Sequence, residues 1–212
     1  MFFLPPSPPR ASRLLSIAAL ILFPLACAPP PAADAGAQAD PPPSGASDAG
    51  DRELGTTDVA TPAAIFIVRH AEKETGDGVG RDPNLNEAGH ERASRALVEL
   101  LDGAAIDAAY VTQWRRTQQT AAPLLEGLGL TPEVLQTDEG FEAALAERLL
   151  AAHAGETVLV VGHSDTNPVL IEALGAPPPT IADDDYDDAH LVVFPAPGEP
   201  RLIRLGYGRP TP

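Results

Sequence analysis

Apolar and polar positions follow three regimes along the chain. A largely apolar stretch runs from Leu14 to Ala26. Residues 28–60 then carry almost no large apolar side chain, being dominated by Ala, Pro, Gly, Ser and Asp. From Ala64 onward, short apolar runs alternate with amphipathic segments. Ala64-Ile65-Phe66-Ile67-Val68 is short, unbroken and rich in β-branched residues, as expected of a strand covered on both faces. Thr157-Val158-Leu159-Val160-Val161 reads the same way and stops at Gly162. Between them the periodicity predicts a helix from an Asn86 N-cap to about Leu101, with Ala93, Leu97, Leu100 and Leu101 on one face. Two more helices are predicted, from about Trp114 to Leu128 and from about Gly140 to His153. Weaker strand patterns cover Asp107 to Val111, Glu133 to Gln136, Leu191 to Phe194 and Arg201 to Leu205. Alternating strands and helices of this length imply an α/β class protein, a three-layer α/β/α sandwich around a mostly parallel central sheet.

The first two regimes set the domain organisation. Arg10 and Arg13 precede the apolar stretch and Cys27 follows it, a secretory signal pattern too short for a comfortable membrane span. Phe23-Pro24-Leu25-Ala26-Cys27 resembles a bacterial lipobox, which implies lipidation of Cys27. An ordinary signal peptide cleaved nearby, an uncleaved anchor and a misassigned start are the alternatives. Residues 28–60 lack the apolar surface needed to offset their ordering entropy and read as a disordered tether. The expected organisation is therefore residues 1–27 as signal, 28–60 as tether and 61–212 as one folded domain. At about 150 residues, that domain can bury a core without staples. An exported protein held at the periplasmic or outer membrane by a lipid anchor is the corresponding localisation.

Charge narrows the partners. The chain carries 30 acidic against 14 basic side chains, a formal net charge of −16. Such a surface repels nucleic acid, so no nucleic-acid partner is expected and membrane contact is expected through the anchor alone. A small phosphorylated substrate remains compatible if a few arginines converge. The single cysteine excludes an intramolecular disulfide and a cysteine-rich zinc site. A monomer without cofactor or metal is the expectation.

Ligands of open α/β sheets bind outside the carboxyl ends of strands. Arg69-His70-Ala71-Glu72-Lys73 follows the first strong strand, Gly162-His163-Ser164-Asp165-Thr166 follows the second, and Thr112 to Ala121 opens the helix after a weaker one. Together with Leu85-Asn86-Glu87-Ala88-Gly89, these segments resemble the histidine phosphatase (phosphoglycerate mutase-like) superfamily. The Arg-His-Ala-Glu, Arg-Thr-x-x-Thr-Ala and Gly-His-Ser segments come in the family's order, across nearly all of residues 64–205. The resemblance implies His70 as nucleophile, with Arg69, Arg116 and His163 forming a phosphate pocket. The residue types suit that chemistry. A neutral imidazole can attack phosphorus, and planar guanidinium forks match phosphoryl oxygens. Arg115 competes with Arg116, but Arg116 puts the Arg-Thr-x-x-Thr-Ala pattern in register.

By the same resemblance a general acid is expected some two dozen residues past the second arginine, which selects Glu139, with Asp138 beside it. Asp165 is the alternative, as is the absence of a dedicated acid. Glu72 and Lys73 are read as supports of the first loop. His90, His153 and His190 are read as structural or solvent-facing. Asp183-Asp184-Asp185-Tyr186-Asp187-Asp188 lacks the glycine and terminal glutamate of an EF-hand and reads as a solvated acidic loop.

Overall fold

The computed structural model describes Pro62 and residues 64–211. The signal expected over 1–27 with Cys27, and the tether over 28–60, lie outside the described residues. The described chain forms β1 (Ala64–Arg69), α1 (Glu87–Glu91), a π-helical turn (Arg92–Ala96), α2 (Leu97–Leu100), β2 (Ala108–Thr112), α3 (Arg115–Leu128), β3 (Glu133–Leu135), α4 (Phe141–Ala152), β4 (Thr157–Gly162), α5 (Thr166–Ala173), β5 (Asp188–Val193) and β6 (Arg201–Gly206).

The six strands make one sheet in the order β3-β2-β4-β1-β5-β6. β3, β2, β4 and β1 run parallel, and the β5–β6 hairpin is added antiparallel to β1. The two strongest apolar runs, β1 and β4, are therefore central neighbours, with Arg69 opposite Gly162 in register. Their side chains alternate between faces. Ile65, Ile67, Val158 and Val160 pack against Leu145 and Leu149 of α4 and Leu170 and Ile171 of α5. Val68, Leu159 and Val161 pack on the other face against Leu97, Leu101, Leu124 and Leu125. The result is the three-layer sandwich expected from the alternation of strand and helix. Among the described residues no helix is long and apolar enough to cross a membrane.

Asn86 caps α1 as expected, its Oδ1 accepting from the Gly89 amide at 2.9 Å. Three expectations need correction. The helix drawn from Asn86 to Leu101 is interrupted by the π turn. Arg92, at its start, is buried and clamps the Glu72 carboxylate while donating to the carbonyls of Tyr207 and Arg209, both at 2.8 Å. A π turn is a common place for such a specialised residue. Second, α5 appears where only a motif was read. Its eight residues are too few for a periodic signal, and Pro168 near its start is tolerated because first-turn amides lack helical partners. Third, β5 starts at Asp188 rather than Leu191. Asp188 is buried and its carboxylate pairs with Arg204 across the hairpin, so the end of the acidic run joins the ladder.

Two glycines are required by close approach. A Cβ on Gly162 would lie 2.1 Å from the Asn167 side-chain oxygen, and one on Gly89 would lie 2.1 Å from the Glu72 carbonyl oxygen. The first contact packs α5 against the end of β4, and the second packs α1 against the loop that leaves β1.

Candidate active site

Outside the carboxyl ends of β1, β2 and β4 lies a cleft of about 720 Å³. Arg69, His70, Arg116 and His163 form its floor. The sequence expectations for these four residues come together here, although they span 94 positions from Arg69 to His163.

His70 leaves β1 with its amide donating to the Gly162 carbonyl at 2.9 Å, and its side chain is almost fully buried. Its Nδ1 lies 2.8 Å from the Ala71 carbonyl oxygen. A carbonyl only accepts, so Nδ1 carries the proton and the Nε2 lone pair is left free. Burial pushes the His70 pKa down to about 3, with the His163 ring and the Arg69 and Arg116 charges adding to the effect. The ring is therefore neutral across the physiological range. The next residue is pinned as well. The Ala71 amide donates at 2.9 Å to Thr120 Oγ1, which itself donates to the Arg116 carbonyl at 2.7 Å. This explains the Arg-Thr-x-x-Thr spacing, because Thr120 ties the loop after His70 to the first turn of α3.

His163 lies beside His70, with ring centroids 5.4 Å apart. Arg116 Nη2 is 3.4 Å from its Nδ1, and a guanidinium only donates, so Nδ1 accepts and Nε2 carries the proton. That proton goes to Thr112 Oγ1 at 3.0 Å. The Thr112 hydroxyl then lies 3.0 Å from Thr117 Oγ1, which in turn donates to the Trp114 carbonyl at 2.8 Å. A chain of hydroxyls can reverse its sense. With Thr112 donating to Nε2 instead, Nδ1–H is released toward the cleft as a donor to an anion. Burial, then the Arg116 charge, lowers the His163 pKa to about 4.

Arg69 is buried and donates through Nη1 to the carbonyls of Ala182 and Asp185 at 2.8 and 2.9 Å. Its guanidinium carbon lies 4.2 Å from the Tyr186 ring centroid, and the Tyr186 ring centroid is 6.0 Å from that of His70. The acidic run is thus not simply a solvated loop. Asp183 and Asp184 are exposed, but residues 185–187 pack down as the wall that orients Arg69. The tyrosine within the run, together with two main-chain carbonyls, explains the difference. The Nε atoms of Arg69 and Arg116 are buried without a protein partner.

The other candidates divide clearly. Arg115 does not line the cleft, since it is exposed and pairs with Asp82 at 3.4 Å. Glu139, Asp138 and Asp165 all line the cleft and are all exposed, so position alone does not choose among them. Lys73 lines it too, while Glu72 is held by Arg92 below the loop. His153 caps α4 and binds the Tyr110 hydroxyl at 2.7 Å, His190 is buried inside β5, and His90 is exposed on α1. None of these three lines the cleft. Thr112, Thr117, Trp114 and Tyr186 are the functional candidates that the sequence reading missed. For the two threonines a signal existed, since hydroxyl residues recur around the strand end that carries Arg116. Among the described residues, no group of three or more His, Cys, Asp and Glu side chains is placed to hold a metal ion.

Residues 65–143 match the histidine phosphatase superfamily (branch 1). The matched span is a little over a third of the chain. The match contains His70, Arg116, Asp138 and Glu139 and stops short of His163, whose place in the site comes from the fold. Two solved structures share this fold. The protein histidine phosphatase SixA complexed with tungstate is 18% identical, with a TM-score of 0.50, over 68% of this chain and 96% of its own. The mycobacterial glucosyl-3-phosphoglycerate phosphatase is 15% identical, with a TM-score of 0.50, over 68% of this chain and 97% of its own. No curated protein sequence is significantly similar to the chain.

Proposed function

We propose that the protein is a metal-independent phosphatase that hydrolyses a small phosphomonoester through a phosphohistidine on His70. The observation that carries this reading is the state of His70: its Nδ1 proton is committed to Ala71 and its Nε2 lone pair is open to the cleft floor. In the first step Nε2 attacks phosphorus, the N–P bond forms and the ester P–O bond breaks. The leaving alkoxide takes a proton from a carboxylic acid at the rim, for which Glu139 is the first choice, with Asp165, Asp138 or solvent as alternatives. Water then attacks the phosphohistidine, giving a proton back to the group that protonated the alkoxide; the N–P bond breaks, inorganic phosphate leaves and the neutral ring is restored. The charge on the equatorial oxygens is met by the Arg69 and Arg116 guanidiniums, fixed donors that need no reorganisation, and by His163 Nδ1–H once Thr112 donates to Nε2.

The same proposal places the enzyme outside the cytoplasm as a monomer, tethered through lipidated Cys27 and a flexible 28–60 segment. Support for this comes from the N-terminal sequence pattern. Radiolabelled palmitate incorporation that disappears in Cys27→Ala checks the anchor.

The catalytic reading is tested with the full-length protein, p-nitrophenyl phosphate and EDTA. Turnover should persist in EDTA and fall by at least about a thousandfold in His70→Ala. Inorganic phosphate binding without turnover at any pH would instead favour a non-catalytic anion-binding module.

A further inference from the structure

The cleft is electrically two-layered. Its floor holds Arg69 and Arg116, the former buried with an Nε that has no protein partner, and these match one phosphoryl dianion. Above them the lining carries Asp138, Glu139, Glu142, Asp165 and Asp183, against a single lysine, Lys73. Arg115 offers no relief, because Asp82 already pairs with it outside the cleft. The carboxylates come from both sides: the loop into α4 supplies two, the first turn of α4 one, the start of α5 one, and the loop before β5 another. Asp183 is anchored by the Ser164 hydroxyl at 3.3 Å. Once a phosphoryl group occupies the floor, whatever it is attached to must sit among these carboxylates, on a chain whose overall charge is −16.

We propose that the alcohol part of the substrate is cationic, so that the natural ligand is the phosphomonoester of an amino or quaternary-ammonium alcohol. This rests on the phosphatase reading above and specifies its substrate class. A second anionic group on the substrate would meet like charge from these largely exposed carboxylates. An ammonium group would find several carboxylate partners along the same rim. The acidic rim also steers encounter toward substrates whose trailing end is positive.

The test uses three two-carbon esters that differ only at the far end: phosphoethanolamine, 2-hydroxyethyl phosphate and 2-phosphoglycolate. With the full-length protein, kcat/KM should fall in that order, the first exceeding the last by about tenfold or more at low ionic strength and by less in high salt. In the double variant Glu142→Gln, Asp183→Asn that ratio should shrink severalfold. Because it compares two substrates on one protein, the ratio is insensitive to loss of active enzyme. A wild-type ratio within about threefold of unity, or a reversed order, overturns the proposal while p-nitrophenyl phosphate turnover leaves the phosphatase reading standing. Absence of turnover with every ester overturns both.

Discussion

The floor and the rim of the cleft are built from opposite materials. The floor is made of residues at the ends of central parallel strands and the first turn of α3. These side chains are buried or half-buried, and their hydrogen bonds are supplied by main-chain carbonyls and threonine hydroxyls. The rim is made of loop residues, largely exposed and mostly acidic. A rigid floor can hold groups that gain only when phosphoryl charge develops, which is the part of a site that sets rate. A solvated rim contributes through longer-range charge, which discriminates between substrates but is screened by salt. On the proposed reading, stabilisation of the phosphoryl charge belongs to the floor, while selectivity and the general acid belong to the rim, so the two layers should respond differently to mutation.

The largest separation is expected between adjacent arginines. Arg116→Ala should lower kcat/KM for p-nitrophenyl phosphate by about 10²–10³-fold, since it removes a preorganised donor to the phosphoryl oxygens and the partner of His163 Nδ1. Arg115→Ala, one residue away but outside the cleft, should stay within about twofold, as an exposed ion pair contributes little. Similar losses in both variants would erase the distinction between the two layers.

Next in size is the support beneath the floor. Gly162→Ala forces a Cβ into the Asn167 side chain and should cost about 1–3 kcal/mol, read as a Tm lower by several degrees. Since β4 delivers His163, activity should fall as well. An unchanged Tm would mean that the strand end has more room than the 2.1 Å approach allows.

Thr112→Val keeps the shape of the strand end but breaks the hydroxyl chain to His163. It should lower kcat by about tenfold with little change in KM, because the loss falls on orienting a transition-state donor. A purely structural threonine would instead lower Tm and leave kcat per folded molecule unchanged.

The smallest effect is on pH dependence. The folded-state pKa values of His70 and His163 are depressed to about 3 and about 4, below the ordinary histidine value of 6.5. Between those values and 6.5 the unfolded chain binds more protons, so stability is full above pH 6.5 and declines as pH falls through that window. Tm should be nearly flat above neutrality and drop below it. The double variant His70→Ala, His163→Ala should drop less steeply over the same range.

The legibility of the molecule follows the same division. β1 and β4 could be read directly because strands buried on both faces are unbroken apolar runs, and the polar residues that follow them had to be strand-end residues. Arg116 was readable because Thr120 sets a register against which Arg115 falls out of step. The wall under Arg69 was not readable. Tyr186 and the carbonyls of Ala182 and Asp185 reach Arg69 from more than 110 positions away, across a loop whose composition signals only solvation. The π turn was hidden for a related reason: its cause is the pull of Glu72, Tyr207 and Arg209 on Arg92, a tertiary demand invisible to helical periodicity. The choice among Glu139, Asp138 and Asp165 stays open because all three are exposed rim residues.

The central claim is that His70 Nε2 becomes covalently phosphorylated. The direct measurement is rapid acid-free quenching of the full-length protein with a ³²P-labelled phosphomonoester, followed by peptide mapping. Acid-labile, alkali-stable label on His70, absent from His70→Ala and formed no more slowly than steady-state turnover, is the predicted result. Turnover without label on His70, or undiminished turnover in His70→Ala, would contradict it.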